Sequence, residues 1–161
     1  GVRMAPLNNK RPLAAAAGLV EDAQRRGANV RLGGTRLAGE GYFFPPTVLT
    51  DVPATARILH DEPFCPVAPI LPFGTLDDAI ARANAVEYGL AAYAFTNDLQ
   101  RAATFAEGID AAWIGINNFM PSLADAPVGG VKDSGLGYEG GPEGLDAYQQ
   151  IRFVSQSNLR V

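Results

Sequence analysis

The chain has 161 residues, of which 47% are apolar and 19% charged, a balance that suits one compact domain with a buried core. Thirteen lysines and arginines against seventeen aspartates and glutamates leave a formal charge of -4, so we expect no nucleic-acid partner. No apolar stretch approaches the roughly 18 to 20 residues of a membrane helix, so we expect no membrane partner. The single cysteine, Cys65, cannot form an internal disulfide, so the chain shows no adaptation to an oxidising compartment. We therefore expect a cytoplasmic protein.

The first half of the chain is predicted to begin with an amphipathic helix. Apolar residues recur at spacings of three and four over residues 12–26, and Gly27 ends the pattern. A short β-like run follows at 29–32, and the extended stretch 41–49 contains two prolines that place it at a sheet edge or in an extended connection. The apolar run 67–73 is typical of a strand covered on both faces.

From residue 75 onward, helix and strand patterns alternate. The predicted elements are a helix capped by Thr75 that runs to about Asn84, a strand over 90–96, a helix that Asn97 or Asp98 opens and that ends near Gly108, and a strand over 111–117. This order predicts an α/β fold in which helices flank a parallel sheet. Periodicity then disappears over 119–144, which predicts a long irregular loop of the kind that usually has a function. Residues 148–155 are predicted to form a last strand.

Four stretches in a fixed order carry a family resemblance. They are GYF at 41–43, DEPFCPV at 61–67, Asn84 with YGLAAYAFT at 88–96, and PVGGVKDSGLG at 127–137. In these stretches the chain resembles the carboxyl-terminal part of the NAD(P)-dependent aldehyde dehydrogenases. The resemblance implies that residues 1–147 belong to that family's catalytic domain and that 148–161 form an oligomerisation strand and tail, as in a homo-oligomer.

Within the second stretch, the resemblance implies a cofactor site at Glu62 and Phe64. In that family a glutamate binds the nicotinamide ribose hydroxyls and a phenylalanine lies against the nicotinamide of NAD or NADP. A carboxylate can accept two hydroxyl hydrogen bonds, and an aromatic face can hold a flat ring. From residue type alone, a surface glutamate and a core phenylalanine are the alternative. Pro63 and Cys65 depart from the pattern, and the glycine usual in place of Cys65 would be needed if φ were positive there.

The loop at 117–122 resembles the one that lines the family's aldehyde tunnel, which places Phe119, Ser122 and Val128 towards the substrate. Ser122 resembles a serine with which semialdehyde dehydrogenases of the succinate type hold the distal carboxylate. A hydroxyl donor suits that task, although one more loop serine is the alternative. The residues that resemble the family's glycine-rich turn, which we expect to be structural, are Lys132, Ser134, Gly135 and Gly137.

No catalytic or metal-binding residue is predicted in this chain. The family's nucleophilic cysteine lies in a Gly-Gln-containing motif upstream of every stretch present here, so Cys65 is interpreted as a packed residue. His60 is the only histidine and cannot complete a triad or a zinc cluster. We therefore expect an inactive fragment of an oxidoreductase that oxidises a small aldehyde, with a semialdehyde as the expected class, to a carboxylic acid. A non-catalytic interaction or scaffold domain of the same fold is the alternative.

Overall fold

A computed structural model describes residues 4–119 and 123–157 of the chain. The chain divides into two compact units, Gly1–Gly74 and Thr75–Val161. Helices and short strands occur in both units, which confirms the α/β class. Within the described ranges, no helix is both long and apolar enough to cross a membrane.

The first unit consists of one long helix and a three-stranded sheet. Helix α1 (Lys10–Arg25) begins at Asn9, whose side chain accepts a hydrogen bond of 2.8 Å from the Arg11 backbone. The sheet has the order β1–β2–β3, with β1 antiparallel and β3 parallel to the central strand. Its strands are β1 (Asn29–Leu32), β2 (Thr47–Thr50) and β3 (Val67–Pro69).

The core of the first unit lies between α1 and the central strand. The apolar stripe of α1 is buried as its spacing predicts, and Leu49 of β2 is fully buried against it. Residues 57–59 form a short 3-10 helix that contributes Ile58 to the same cluster. The α1 residues in this core are Leu13, Ala16, Leu19, Val20 and Ala23.

One carboxylate, that of Asp22, is buried beside this core. Its oxygens accept hydrogen bonds of 3.0 Å from the Arg57 backbone and of 3.0 Å from the Arg26 side chain. The Arg57 hydrogen bond holds the pKa of Asp22 below its ordinary value and the Arg26 pair adds to this, whereas burial opposes it. The ionised carboxylate therefore joins α1 to the segment that follows β2.

Because the pKa of Asp22 is lowered by folding, its charge stabilises the folded state above the unfolded pKa of about 4. That contribution is lost as the pH falls through the lower, folded pKa. We expect Asp22→Asn to lower the thermal midpoint at pH 7 by several degrees, and to flatten its decline between pH 5 and 3. Glu21→Gln, which removes an exposed carboxylate of the same helix, is the control and should change the pH 7 midpoint little. Equal losses in both variants would contradict this role.

The second unit contains two helices whose predicted caps are confirmed. Helix α2 (Leu76–Asn84) begins at Thr75, whose hydroxyl accepts from the Asp78 backbone at 3.2 Å. Helix α3 (Leu99–Gly108) begins at Asp98, which accepts from the next backbone N–H groups at 2.9 and 3.1 Å. These side chains satisfy N–H groups that a helix leaves without partners in its first turn.

Short strands make up the rest of the second unit. Strands β5 (Ala91–Ala94) and β6 (Trp113–Ile116) pair in parallel. Two antiparallel pairs of two-residue strands lie in the region predicted as an irregular loop and the chain before it. They join β4 (Tyr88–Gly89) to β8 (Val131–Lys132) and β7 (Val128–Gly129) to β9 (Tyr138–Glu139), and a 3-10 helix, Pro142–Tyr148, follows.

Two features of the predicted architecture differ from the structure. Among the described residues, the pairs β2–β3 and β5–β6 are parallel, whereas β1–β2 and the two pairs that involve the glycine-rich segment are antiparallel. The last strand, predicted over 148–155, is not formed in the described part of the chain: Tyr148 ends a 3-10 helix and residues 149–157 carry no strand. A strand exists only where a neighbour completes its ladder of hydrogen bonds, and no described segment pairs with this one.

Candidate functional site

The first unit contains a groove of about 610 Å³ beside the beginning of α1. One wall is formed by the residues that lead into the helix and by its first turns, and the other by the segment that precedes β3. This volume lies in the range of small-molecule sites. The groove, called here the α1 groove, has as its polar and aromatic lining residues Asn8, Asn9, Arg11, Glu62, Phe64 and Cys65.

Tight backbone turns present Glu62 and Phe64 on the wall of the α1 groove. The Phe64 N–H donates to the Glu62 carbonyl at 3.1 Å, and the Val67 N–H donates to the Cys65 carbonyl at 2.9 Å as β3 begins. Both Glu62 and Phe64 are exposed, and Phe64 keeps 79% of its accessible surface. The alternative of a core phenylalanine is therefore wrong for this unit.

Cys65 occupies the position where the sequence pattern raised a question of backbone strain. Outside glycine, the described residues with positive φ are Asp51, Asn117 and Lys132, so Cys65 adopts a conformation open to any side chain. Burial raises the pKa of the Cys65 thiol, and a hydrogen bond from the Val67 backbone offsets this only in part. The thiol consequently stays protonated at neutral pH and is a poor nucleophile.

The α1 groove brings together three chemically distinct groups. The Glu62 carboxylate can accept hydrogen bonds from a diol, the Phe64 ring offers a flat apolar face, and the Arg11 guanidinium can bind an anion. A nucleotide that carries a planar base, a ribose and a phosphate fits this combination of groups. No sequence pattern pointed to Arg11, because only the folded chain brings residues 11 and 62 to one groove.

In the second unit, Phe119 lies in a cluster of exposed aromatic side chains. Its ring centroid is 4.6 Å from that of Phe95 and 5.4 Å from that of Tyr93, in tilted geometries. All three side chains are exposed, and Phe119 keeps 69% of its surface. Tyr93 and Phe95 were not selected from the sequence, although their spacing of two residues along an extended segment places them on one face.

Asn117 fixes the start of the loop that carries Phe119. Its side-chain oxygen accepts from the Thr96 N–H at 2.9 Å, and its side-chain nitrogen donates to the Thr96 carbonyl at 2.8 Å. Asn117 has a φ of 52°, a conformation that asparagine adopts more readily than most residues. These two hydrogen bonds join the residues that follow β5 and β6, directly before the position of Phe119.

The other two predicted substrate residues are placed less completely. Val128 is half-buried in β7, opposite Glu139 of β9. Ser122 lies outside the described residues. The structure therefore brings Phe119 together with Tyr93 and Phe95, and places Val128 on a separate pair of strands.

A polar network accounts for Asn84 and Lys132 of the recognised stretches. The Asn84 side chain donates to the Gly108 carbonyl at 2.8 Å and accepts from the Asp110 N–H at 2.8 Å. Lys132 donates to the carbonyls of Asn84 and Val86 at 2.9 and 3.2 Å and forms an ion pair of 3.1 Å with Asp110. These contacts join the ends of both helices to β8, which is a structural role.

Comparison with known proteins identifies relatives over nearly the whole chain. The model of the aldehyde dehydrogenase family matches residues 1–154. The chain is 49% identical over 136 residues to a succinate-semialdehyde dehydrogenase of Paenarthrobacter nicotinovorans, which covers 84% of this chain and 30% of the relative. It is 40% identical over 154 residues to the NADP(+) succinate-semialdehyde dehydrogenase GabD of Escherichia coli K12. That match covers 96% of this chain and 32% of GabD.

Solved structures give the same result. An NADP-dependent enzyme of Escherichia coli superposes with a TM-score of 0.87 at 41% identity, over 91% of this chain and 31% of the other. The lactaldehyde dehydrogenase of Escherichia coli superposes with a TM-score of 0.89 at 36% identity, over 92% and 31%. The chain thus spans about 30% of the length of the proteins it matches.

Proposed function

Because this chain belongs to the aldehyde dehydrogenase family, we propose that it forms the part of an NAD(P)-dependent enzyme that orients the nicotinamide and shapes the aldehyde pocket. The observation that carries the proposal is the exposure of Glu62 and Phe64 on one groove. The substrate class we propose is a semialdehyde, oxidised to the carboxylic acid, since relatives with 49% and 40% identity carry that activity in their names.

In the proposed site, each residue has a task that its chemistry supports. The Glu62 carboxylate accepts hydrogen bonds from the ribose hydroxyls, and the Phe64 ring packs against the nicotinamide. NAD or NADP, when bound, supplies the hydride acceptor. Phe119 and Val128 form apolar walls for the aldehyde, and the Ser122 hydroxyl donates to the distal carboxylate of a semialdehyde.

We assign no catalytic residue to this chain, and we expect the 161-residue polypeptide alone not to oxidise aldehydes. Its one thiol, Cys65, has a raised pKa and is half-buried. The nucleophile, the general base and the donors that stabilise the oxyanion are proposed to lie in the remainder of a complete enzyme.

A hybrid enzyme tests the cofactor assignment. This chain would replace the matching 32% of Escherichia coli GabD, and NADP reduction with succinate semialdehyde would be measured. We expect Glu62→Gln to lower kcat/KM for the cofactor by about 10- to 100-fold, the loss expected for hydrogen bonds to a charged group. Glu40→Gln, which neutralises an exposed glutamate that does not line the groove, is the matched control. Equal effects of the two substitutions, in hybrids shown to be folded by circular dichroism, would refute the assignment.

We also propose that residues 148–161 pair with a second copy of the protein as an oligomerisation strand. Ile151 and Phe153 support this, because both are almost fully exposed apolar side chains in a segment without a strand partner among the described residues. Light scattering of the chain should give a mass above the monomer's 17.0 kDa. Ile151→Lys should return it to the monomer, and a monomeric unsubstituted chain would exclude this pairing.

A further inference from the structure

Arg11 differs from the two arginines at the carboxyl-terminal end of α1 in having no described partner for its side chain. Arg25 pairs with Glu21 at 3.2 Å, and Arg26 pairs with Asp22 at 3.0 Å. Outside the helical hydrogen bonds of α1, the described hydrogen bond of Arg11 is made by its backbone N–H, which donates to the Asn9 side chain. Arg11 is exposed and lines the α1 groove, so its guanidinium group is available to bind an anion.

The same groove holds Glu62, yet the two opposite charges form no ion pair within 4.0 Å in the described structure. The first turn of α1 contains no acidic residue that could neutralise Arg11. A cation and a carboxylate that line one groove and remain apart suit a ligand with an anionic group at one end and hydrogen-bond donors at the other.

We propose that Arg11 is a further cofactor-binding residue, whose guanidinium binds the phosphate next to the nicotinamide ribose. This inference rests on the proposed function of Glu62 and Phe64. A nicotinamide mononucleotide unit carries a flat ring, a ribose diol and a phosphate in that order, and the groove offers Phe64, Glu62 and Arg11. The planar guanidinium can donate two parallel hydrogen bonds to phosphate oxygens, which a lysine cannot reproduce.

Two probes that differ only in the phosphate separate this role from general binding. The 161-residue chain, labelled with nitrogen-15, would be titrated with nicotinamide mononucleotide and with nicotinamide riboside, and the shifts of groove amides followed by NMR. We expect Arg11→Gln to weaken binding of the mononucleotide by about tenfold, as for loss of a charge-assisted hydrogen bond. The affinity for the riboside should stay unchanged. Lys10→Gln is the matched control, because it removes a positive charge from the neighbouring residue, whose side chain does not line the groove. It should change neither affinity by more than about twofold.

The Glu62→Gln variant distinguishes failure of this inference from failure of the proposed function. It should weaken both probes, because both carry the ribose hydroxyls. If Glu62→Gln weakens both and Arg11→Gln affects them equally, or no more than Lys10→Gln does, the phosphate assignment is wrong and the cofactor site stands. If neither probe shifts the groove amides of the folded chain, the cofactor site itself is wrong and Arg11 has no such role.

Discussion

Leu49→Ala is expected to lower the free energy of unfolding of the first unit by about 2–5 kcal/mol. Leu49 is fully buried on the central strand β2 and belongs to the cluster formed with the apolar face of α1. A central strand is held by hydrogen bonds on both sides, so it cannot move to fill the cavity that the lost side chain leaves. The loss would be a large share of the roughly 5–15 kcal/mol that stabilises a typical domain.

Hydrogen exchange of the α1 and β2 amides measures this loss in the unit concerned, with urea unfolding followed by far-UV circular dichroism as a second readout. Leu37→Ala removes the same atoms from a side chain that is 52% exposed in the same unit, and it should change stability by less than about 0.5 kcal/mol. A loss for Leu49→Ala no greater than that for Leu37→Ala would mean that α1 and β2 do not form a packed core.

The helices were predictable because their signals are local. The periodicity over 12–26 describes α1 (Lys10–Arg25) to within two residues, and Thr75 and Asp98 are the observed caps of α2 and α3. A cap acts on N–H groups two or three residues away, and an apolar stripe repeats within one turn. Neither signal requires knowledge of the distant chain.

Strand pairing was harder to predict because the partner of a strand can lie anywhere. The segment 148–155 has strand composition but carries no strand in the described chain, and β4 pairs with β8 across more than forty residues. The region 119–144 was predicted to be irregular, since its two-residue strands are too short to show an alternation of apolar and polar residues.

The same distinction between local signals and contacts of distant residues applies to the candidate site. Glu62 and Phe64 were found from a contiguous stretch, and the structure places both on one groove. Arg11 was missed because its position beside them depends on the path of the fifty residues between. Phe119 was found from its loop, whereas the Phe95 ring that packs against it belongs to a preceding segment of the chain.

Gly89→Ala is expected to destabilise the second unit by about 1–3 kcal/mol. An added Cβ would lie 2.6 Å from the Val131 Cγ2 atom, and closer still to the Asp110 carbonyl oxygen. The Gly89 N–H also donates to the Ser134 hydroxyl at 2.9 Å. Relief of the clash therefore requires β4 to move away from both the Asp110 backbone and β8, and this movement weakens the hydrogen bond to Ser134 as well.

Trp113, the single tryptophan, lies in β6 of the same unit, so its fluorescence during urea unfolding reports the effect. Gly144→Ala is the matched control, because its added Cβ would have its nearest neighbour at 3.5 Å, an ordinary contact, and Gly144 has no positive φ. Equal midpoints for the two variants would mean that β4 and β8 are not closely packed. A loss of stability confined to Gly89→Ala would explain why YGL at 88–90 contains a glycine. The glycine-rich segment with Val131 and Ser134 lies directly against Gly89 and leaves no room for a side chain.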